Sequence, residues 1–190
     1  MNKKLAAAVS GGAVLMLVLS GCGGDDGNEK ANAWAKKVCD GWQSELKKIE
    51  TANADIKRVS TESTKSDEVQ KTDSAAFQAQ ADAYKAMSAA VANAGTPPTK
   101  DGQATQDAAV KGLESASKAY TDLKTKIDAL DPKDQAKFAD GLKEIAGGIT
   151  EANKGSTEAY DQLKKAGLDK SMNSQKGCKV TASAPASPPK

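Results

Sequence analysis

Gln103–Leu130, QATQDAAVKGLESASKAYTDLKTKIDAL, places its larger apolar side chains at Val110, Leu113, Tyr120, Leu123, Ile127 and Leu130. The intervals are three, seven, three, four and three residues. That spacing lines all six along one stripe of a helix with 3.6 residues per turn and leaves the charges on the opposite side. The same pattern repeats outward. Upstream, roughly 67–94 carries Val69, Phe77, Tyr84, Met87 and Val91, and roughly 29–60 carries Val38, Trp42, Leu46, Ile49, Ile56 and Val59. Downstream, roughly 132–166 carries Phe138, Leu142, Ile145, Ile149 and Leu163. No segment sustains the period-two alternation of a half-buried strand. The sequence therefore predicts an all-α fold over residues 29–179: four amphipathic helices with short connections, arranged as an up-down-up-down antiparallel four-helix bundle.

The connections carry their own signals. Gly95-Thr96-Pro97-Pro98 ends the second helix with a glycine cap followed by prolines. Asp131-Pro132 reads as the start of the fourth, with an N-cap acid and a proline at the first helical position. The first connection, 60–66, is polar but has neither Gly nor Pro, and the seven-residue frame through Trp42, Ile49 and Ile56 runs on to Phe77, Tyr84 and Val91 without changing phase. One continuous helix is the alternative there. A break is preferred, because a polar gap of this length gives two helical turns nothing to pack against. The core is thin: the chain has two Phe, two Trp and three Tyr, and much of the stripe in helices two to four is Ala, which buries little area.

The N-terminus reads differently. Lys3 and Lys4 precede a mostly apolar run from Leu5 to Leu19, too short for the ~20 residues of a membrane-spanning helix and shaped like a secretory signal. Leu19-Ser20-Gly21-Cys22 closes it and resembles the lipobox at which bacterial lipoproteins are cleaved and acylated. The expected layout is a signal peptide at 1–21, a lipidated spacer at 22–28, the bundle at 29–179 and an Ala/Ser/Pro-rich disordered tail at 180–190. Cleavage removes two of the 27 basic residues and none of the 25 acids, leaving the mature side chains balanced at 25 of each. A neutral chain offers no basic field for nucleic acid. With Cys22 committed to lipid, Cys39 and Cys178 remain. Two cysteines in an exported protein most simply form one disulfide; a free thiol pair or intermolecular bridging are the alternatives.

Catalytic chemistry finds few candidates. The chain has no histidine, which excludes histidine general bases, Ser-His-Asp and Cys-His nucleophiles and histidine metal ligands. The acids read as solvated faces or partners of lysines on the same helix. Asp128, Asp131 and Asp134 lack the spacing, glycine and terminal Glu of a calcium loop; Asp131 reads as an N-cap and Asp134 as a first-turn acid favoured by the helix dipole. No catalytic residue, metal site or cofactor is predicted, and the chain is not expected to be an enzyme. Trp34 and Trp42, on nearly one face of helix one, read as core rather than as a ligand platform or headgroup anchors. Gly141, Gly148 and Gly155 recur at seven residues along helix four. They mark either a close approach by a neighbouring helix or a groove for a ligand or partner.

The lipobox, the Lys- and Ala-rich helical body without histidine, and the pattern of Trp34 and Cys39 answered by Cys178 together resemble small secreted lipoproteins of actinobacteria. The resemblance implies export and a lipid anchor on the extracytoplasmic face of the cell membrane, and carries no activity. Two functions follow from the residues. The first is a structural or interaction module whose partner is an envelope protein or the cell wall. The second is a ligand-binding or sensory bundle using its interior near Tyr84, Tyr120 and Tyr160.

Overall fold

A computed structural model describes residues 25–61 and 64–179. The expected signal peptide at 1–21, Cys22 and the expected tail at 180–190 lie outside the described residues. Five helices follow in order: α1 (Asp25–Thr61), α2 (Ser66–Ala94), α3 (Gly102–Asp128), α4 (Gln135–Lys165) and the short α5 (Asp169–Asn173). A 3₁₀ turn at Lys176–Cys178 ends the described chain. The four long helices alternate in direction. Trp34 Nε1 at the start of α1 donates to Gly95 O at the end of α2 (2.6 Å), and Ser117 of α3 reaches Ala81 O of α2 (2.8 Å). Lys126 near the end of α3 meets Glu144 in the first half of α4 (3.0 Å). This is the antiparallel four-helix arrangement read from the apolar stripes.

The break between the first two helices stands where the polar gap placed it. α1 ends at Thr61 and α2 begins at Ser66. Gly95 holds the left-handed φ of 81° that turns the chain out of α2, a conformation open to glycine at little cost. Two boundaries differ from the sequence reading. α1 begins at Asp25, so residues 25–28 belong to the helix rather than to the spacer. Once Glu29–Ala35 is helical, adding a turn at its end needs no new nucleus. α4 is capped by Asp134, whose carboxylate accepts from Lys137 N (3.2 Å), while Asp131 accepts from Lys133 N (3.0 Å) in the preceding turn. Leu130 explains the delay: it sits where a side chain on Gly141 would otherwise lie, which pins the loop against α4 and moves its start one turn on.

Small residues set the helix spacing. A Cβ on Gly41 would stand 2.8 Å from Ala90 Cβ, so α1 and α2 approach closely there. α3 and α4 cross at Gly112 and Gly155, where a Cβ on either glycine would meet the other's carbonyl oxygen at 2.6 or 2.5 Å. α1 and α4 make no comparable approach. Instead, Gly167 (φ 84°) turns the chain after α4, and α5 with the 3₁₀ turn packs back onto α1. The bridge between Cys39 and Cys178 fastens that segment, with Cα atoms 5.0 Å apart. Intramolecular pairing is thus the outcome among the three left open by the sequence.

Candidate functional site

The heptad spacing of Phe77 and Tyr84 turns both toward α3, where they meet Tyr120. The Tyr84 and Tyr120 rings stack with centroids 5.6 Å apart, and Phe77 lies 6.2 Å from Tyr120 at a tilt of 40°; both geometries are favourable for aromatic pairs. Tyr120 OH donates to Asn153 Oδ1 of α4 (2.8 Å). Burial pushes both phenols above their ordinary range, with the neighbouring Tyr84 adding to the rise at Tyr120. Each therefore stays protonated at neutral pH and is not placed to act as a nucleophile or base. Tyr160, grouped with them from sequence, lies elsewhere. It is the exposed member, and its hydroxyl donates to Asp169 of α5 (2.9 Å).

The glycine column of α4 faces α3. Gly155 lies against Gly112 and Ala116, Gly148 against Leu123 and Gly141 against Leu130. The positions left empty by the missing side chains are therefore occupied by α3 and by Leu130 of the connection that follows it. Gly147, out of the heptad, has nothing within 4 Å of an added Cβ. Both tryptophans are buried, and Trp42 Nε1 donates to Met87 O (3.0 Å); they belong to the core, as their spacing indicates. The three aspartates at the turn from α3 into α4 have separate partners. Asp128 pairs with Lys124 (2.5 Å), and Asp131 and Asp134 serve the turn and the cap. Hydrogen bonds from Lys124 and Lys137 hold the carboxyls of Asp128 and Asp134 below the usual range.

Buried polar groups on α2 are what the sequence reading missed. Gln80, 1 % exposed, donates to Asn53 Oδ1 of α1 (3.3 Å), while its own Oε1 has no partner among the described residues. Asp73, 7 % exposed, is likewise enclosed, with Oδ1 unpartnered. Burial pushes its carboxyl up to about 6 from 3.8. A signal was present: Asp73 lies four residues from both Val69 and Phe77, on the apolar stripe. Because the folded state holds this proton more tightly than the unfolded chain does, the contribution to stability is full below about pH 4 and is lost as pH rises through about 6. Asp73→Asn is expected to match the parent at pH 4 and exceed it at pH 7.5 by on the order of 2 kcal/mol. Urea unfolding of both proteins at the two pH values checks this, and equal differences at both would refute it.

Open relief lies on the outside of the α1–α2 pair. A trough of about 710 Å³ is floored by Ala52, Ala76 and Ala79 and edged by Lys48, Arg58 and Lys71. Its lining carries Lys47, Lys48, Arg58 and Lys71 against Asp55; three of these cations have a further acid close by, Glu45 at 2.9 Å from Lys48, Glu68 at 4.0 Å from Arg58 and Asp67 at 4.0 Å from Lys71. The trough and its surroundings therefore carry both signs of charge, with cations in the majority in the lining itself. Among the described residues no cluster of three or more His, Cys, Asp or Glu is placed to hold a metal ion, and no helix is long and apolar enough to cross a membrane. No protein-family model, curated protein or solved structure matches the chain.

Proposed function

We propose that the chain is a lipid-anchored extracytoplasmic module of the cell envelope, tethered through Cys22, that works by contact with another envelope component. The observation that supports contact over ligand storage is the filled interior. Where a bundle would hold a small molecule between its helices, Phe77, Tyr84 and Tyr120 are packed ring to ring and closed by Asn153. The glycine column, the other candidate groove, is occupied by α3 and by Leu130 just beyond it. What remains open is the exterior, including the trough of mixed charge along α1 and α2. Such a surface suits a protein or cell-wall partner better than a nucleic acid, whose phosphates call for a net positive face.

The start of α1 bears on the tether. With Cys22 acylated and the helix beginning at Asp25, only Gly23 and Gly24 separate lipid from helix. That link spans about 10 Å even when fully extended. The bundle is then held against the bilayer, so its partner is one that reaches the same membrane surface.

Native mass spectrometry of the mature protein, extracted in mild detergent from its own membrane, tests the reading. A second protein chain in fixed ratio is the expected result. A tightly held small molecule, with no protein partner, would replace the contact reading with ligand binding.

A further inference from the structure

We propose that residues 168–178 form a redox-latched strap, closed on α1 while the Cys39–Cys178 bond is intact and released by its reduction. The segment is weakly built in its own right. Eleven residues are ordered, yet its large buried side chains are Leu168 and Met172 alone, each 1 % exposed. Ordering that length of backbone costs more than burying two such side chains returns. Its backbone hydrogen bonds are largely internal, such as Met172 N to Leu168 O and Cys178 N to Gln175 O. Tyr160 of α4 adds a surface bond to Asp169. The fit to α1 is close, since Gly177 lies against the Cys39 carbonyl where any side chain would collide. Close fit without much buried area is a contact that the covalent bond holds in place.

The topology lets the strap leave without dismantling the bundle. α5 and the 3₁₀ turn pack mainly on α1, whereas α2 and α3 are gripped by long helices on both sides. Gly167 is already a turn point between α4 and the strap. Beneath the strap, Cys39 is fully buried with Gly177 against its carbonyl, so opening uncovers α1 at this point.

The chemistry is thiol–disulfide exchange with a dithiol reductant. Cys178 is half-buried and Cys39 is fully covered, so one thiolate of the reductant attacks Sγ of Cys178. The S–S bond breaks, and Cys39 leaves as a thiolate that takes up a proton. The second thiol of the reductant then attacks the mixed disulfide and frees Cys178 as a thiol. The reductant departs as its own disulfide. Two electrons and two protons have passed to the protein.

Hydrogen exchange on the mature chain, with dithiothreitol as the dithiol, tests the proposal. On reduction, amides in 168–178 are expected to exchange at least about 100-fold faster, while 77–91 in α2 and 109–127 in α3 keep their protection within about threefold, as local opening requires. Cys39 should become open to alkylation by iodoacetamide. Cys178→Ser should show the same open strap with no reductant present. A strap that remains protected in either case would overturn the proposal. Loss of protection across all four long helices together would overturn it equally, because release would then be global unfolding.

Discussion

Replacing both bridging cysteines, Cys39→Ala together with Cys178→Ala, is expected to lower the unfolding free energy by about 3–5 kcal/mol while leaving the four long helices folded. The bridge closes a loop spanning 139 residues. In the chain-entropy treatment a loop of that length stabilises by about 5 kcal/mol through restriction of the unfolded chain, and strain in the folded state reduces the figure. The effect is large because the rest of the fold offers little in compensation: α1 and α4 are not packed closely together, and much of the core is alanine. For a domain of this size, each kcal/mol moves the melting temperature by about 2–4 °C. Calorimetry should therefore find the double variant melting about 6–20 °C lower. A shift below about 3 °C would mean that the strap is held by its side chains rather than by the bond.

The second large effect is expected at the α3–α4 crossing. Gly155→Ala places a methyl group 2.5 Å from Gly112 O and 2.9 Å from Ala116 N. Both obstacles are backbone, so neither can rotate aside, and the two helices must separate. Overpacking of this kind costs about 1–3 kcal/mol, more where backbone must move. Gly155→Leu should exceed that and loosen the contact along its length. Gly147→Ala supplies the contrast in the same helix. Nothing lies within 4 Å of its added Cβ, so removing an interior glycine should stabilise by about 0.5–1 kcal/mol. Urea midpoints of the three variants are expected to move in opposite directions, down at 155 and up at 147. A stabilised Gly155→Ala would show that the crossing is not close-packed.

These two sites also mark how far the sequence could be read. The apolar stripe from Val110 to Leu130 and its three counterparts are local patterns, and they sufficed for the four long helices and their alternation. Gly95 and the prolines after it were equally plain, because a left-handed cap is a property of a few adjacent residues. The glycine column was visible as a repeat, but its partner was not: Gly112 is an isolated glycine in α3, and only the register of α3 on α4 brings it to Gly155. Asp134 displaced Asp131 as the cap for a tertiary reason, the seating of Leu130 over Gly141. Tyr84 and Tyr120 came together through heptad phase, whereas Tyr160 points to α5, a helix of five residues too short to leave a periodic signal. Asp73 has its signal in Val69 and Phe77, four residues to either side, but a single acid on a stripe does not stand out in a chain whose acids are mostly solvated. The bridge followed from counting cysteines; the strap that it fastens did not.

The tether on Cys22 underlies the functional proposal, and it is tested most directly by expressing the full precursor and its Cys22→Ala variant, then fractionating cells and labelling with a radioactive fatty acid. The expected result is a membrane-bound, acylated parent and a Cys22→Ala protein that carries no label and no longer partitions with the membrane. An unlabelled parent, or a variant retained on the membrane as firmly as the parent, would contradict it.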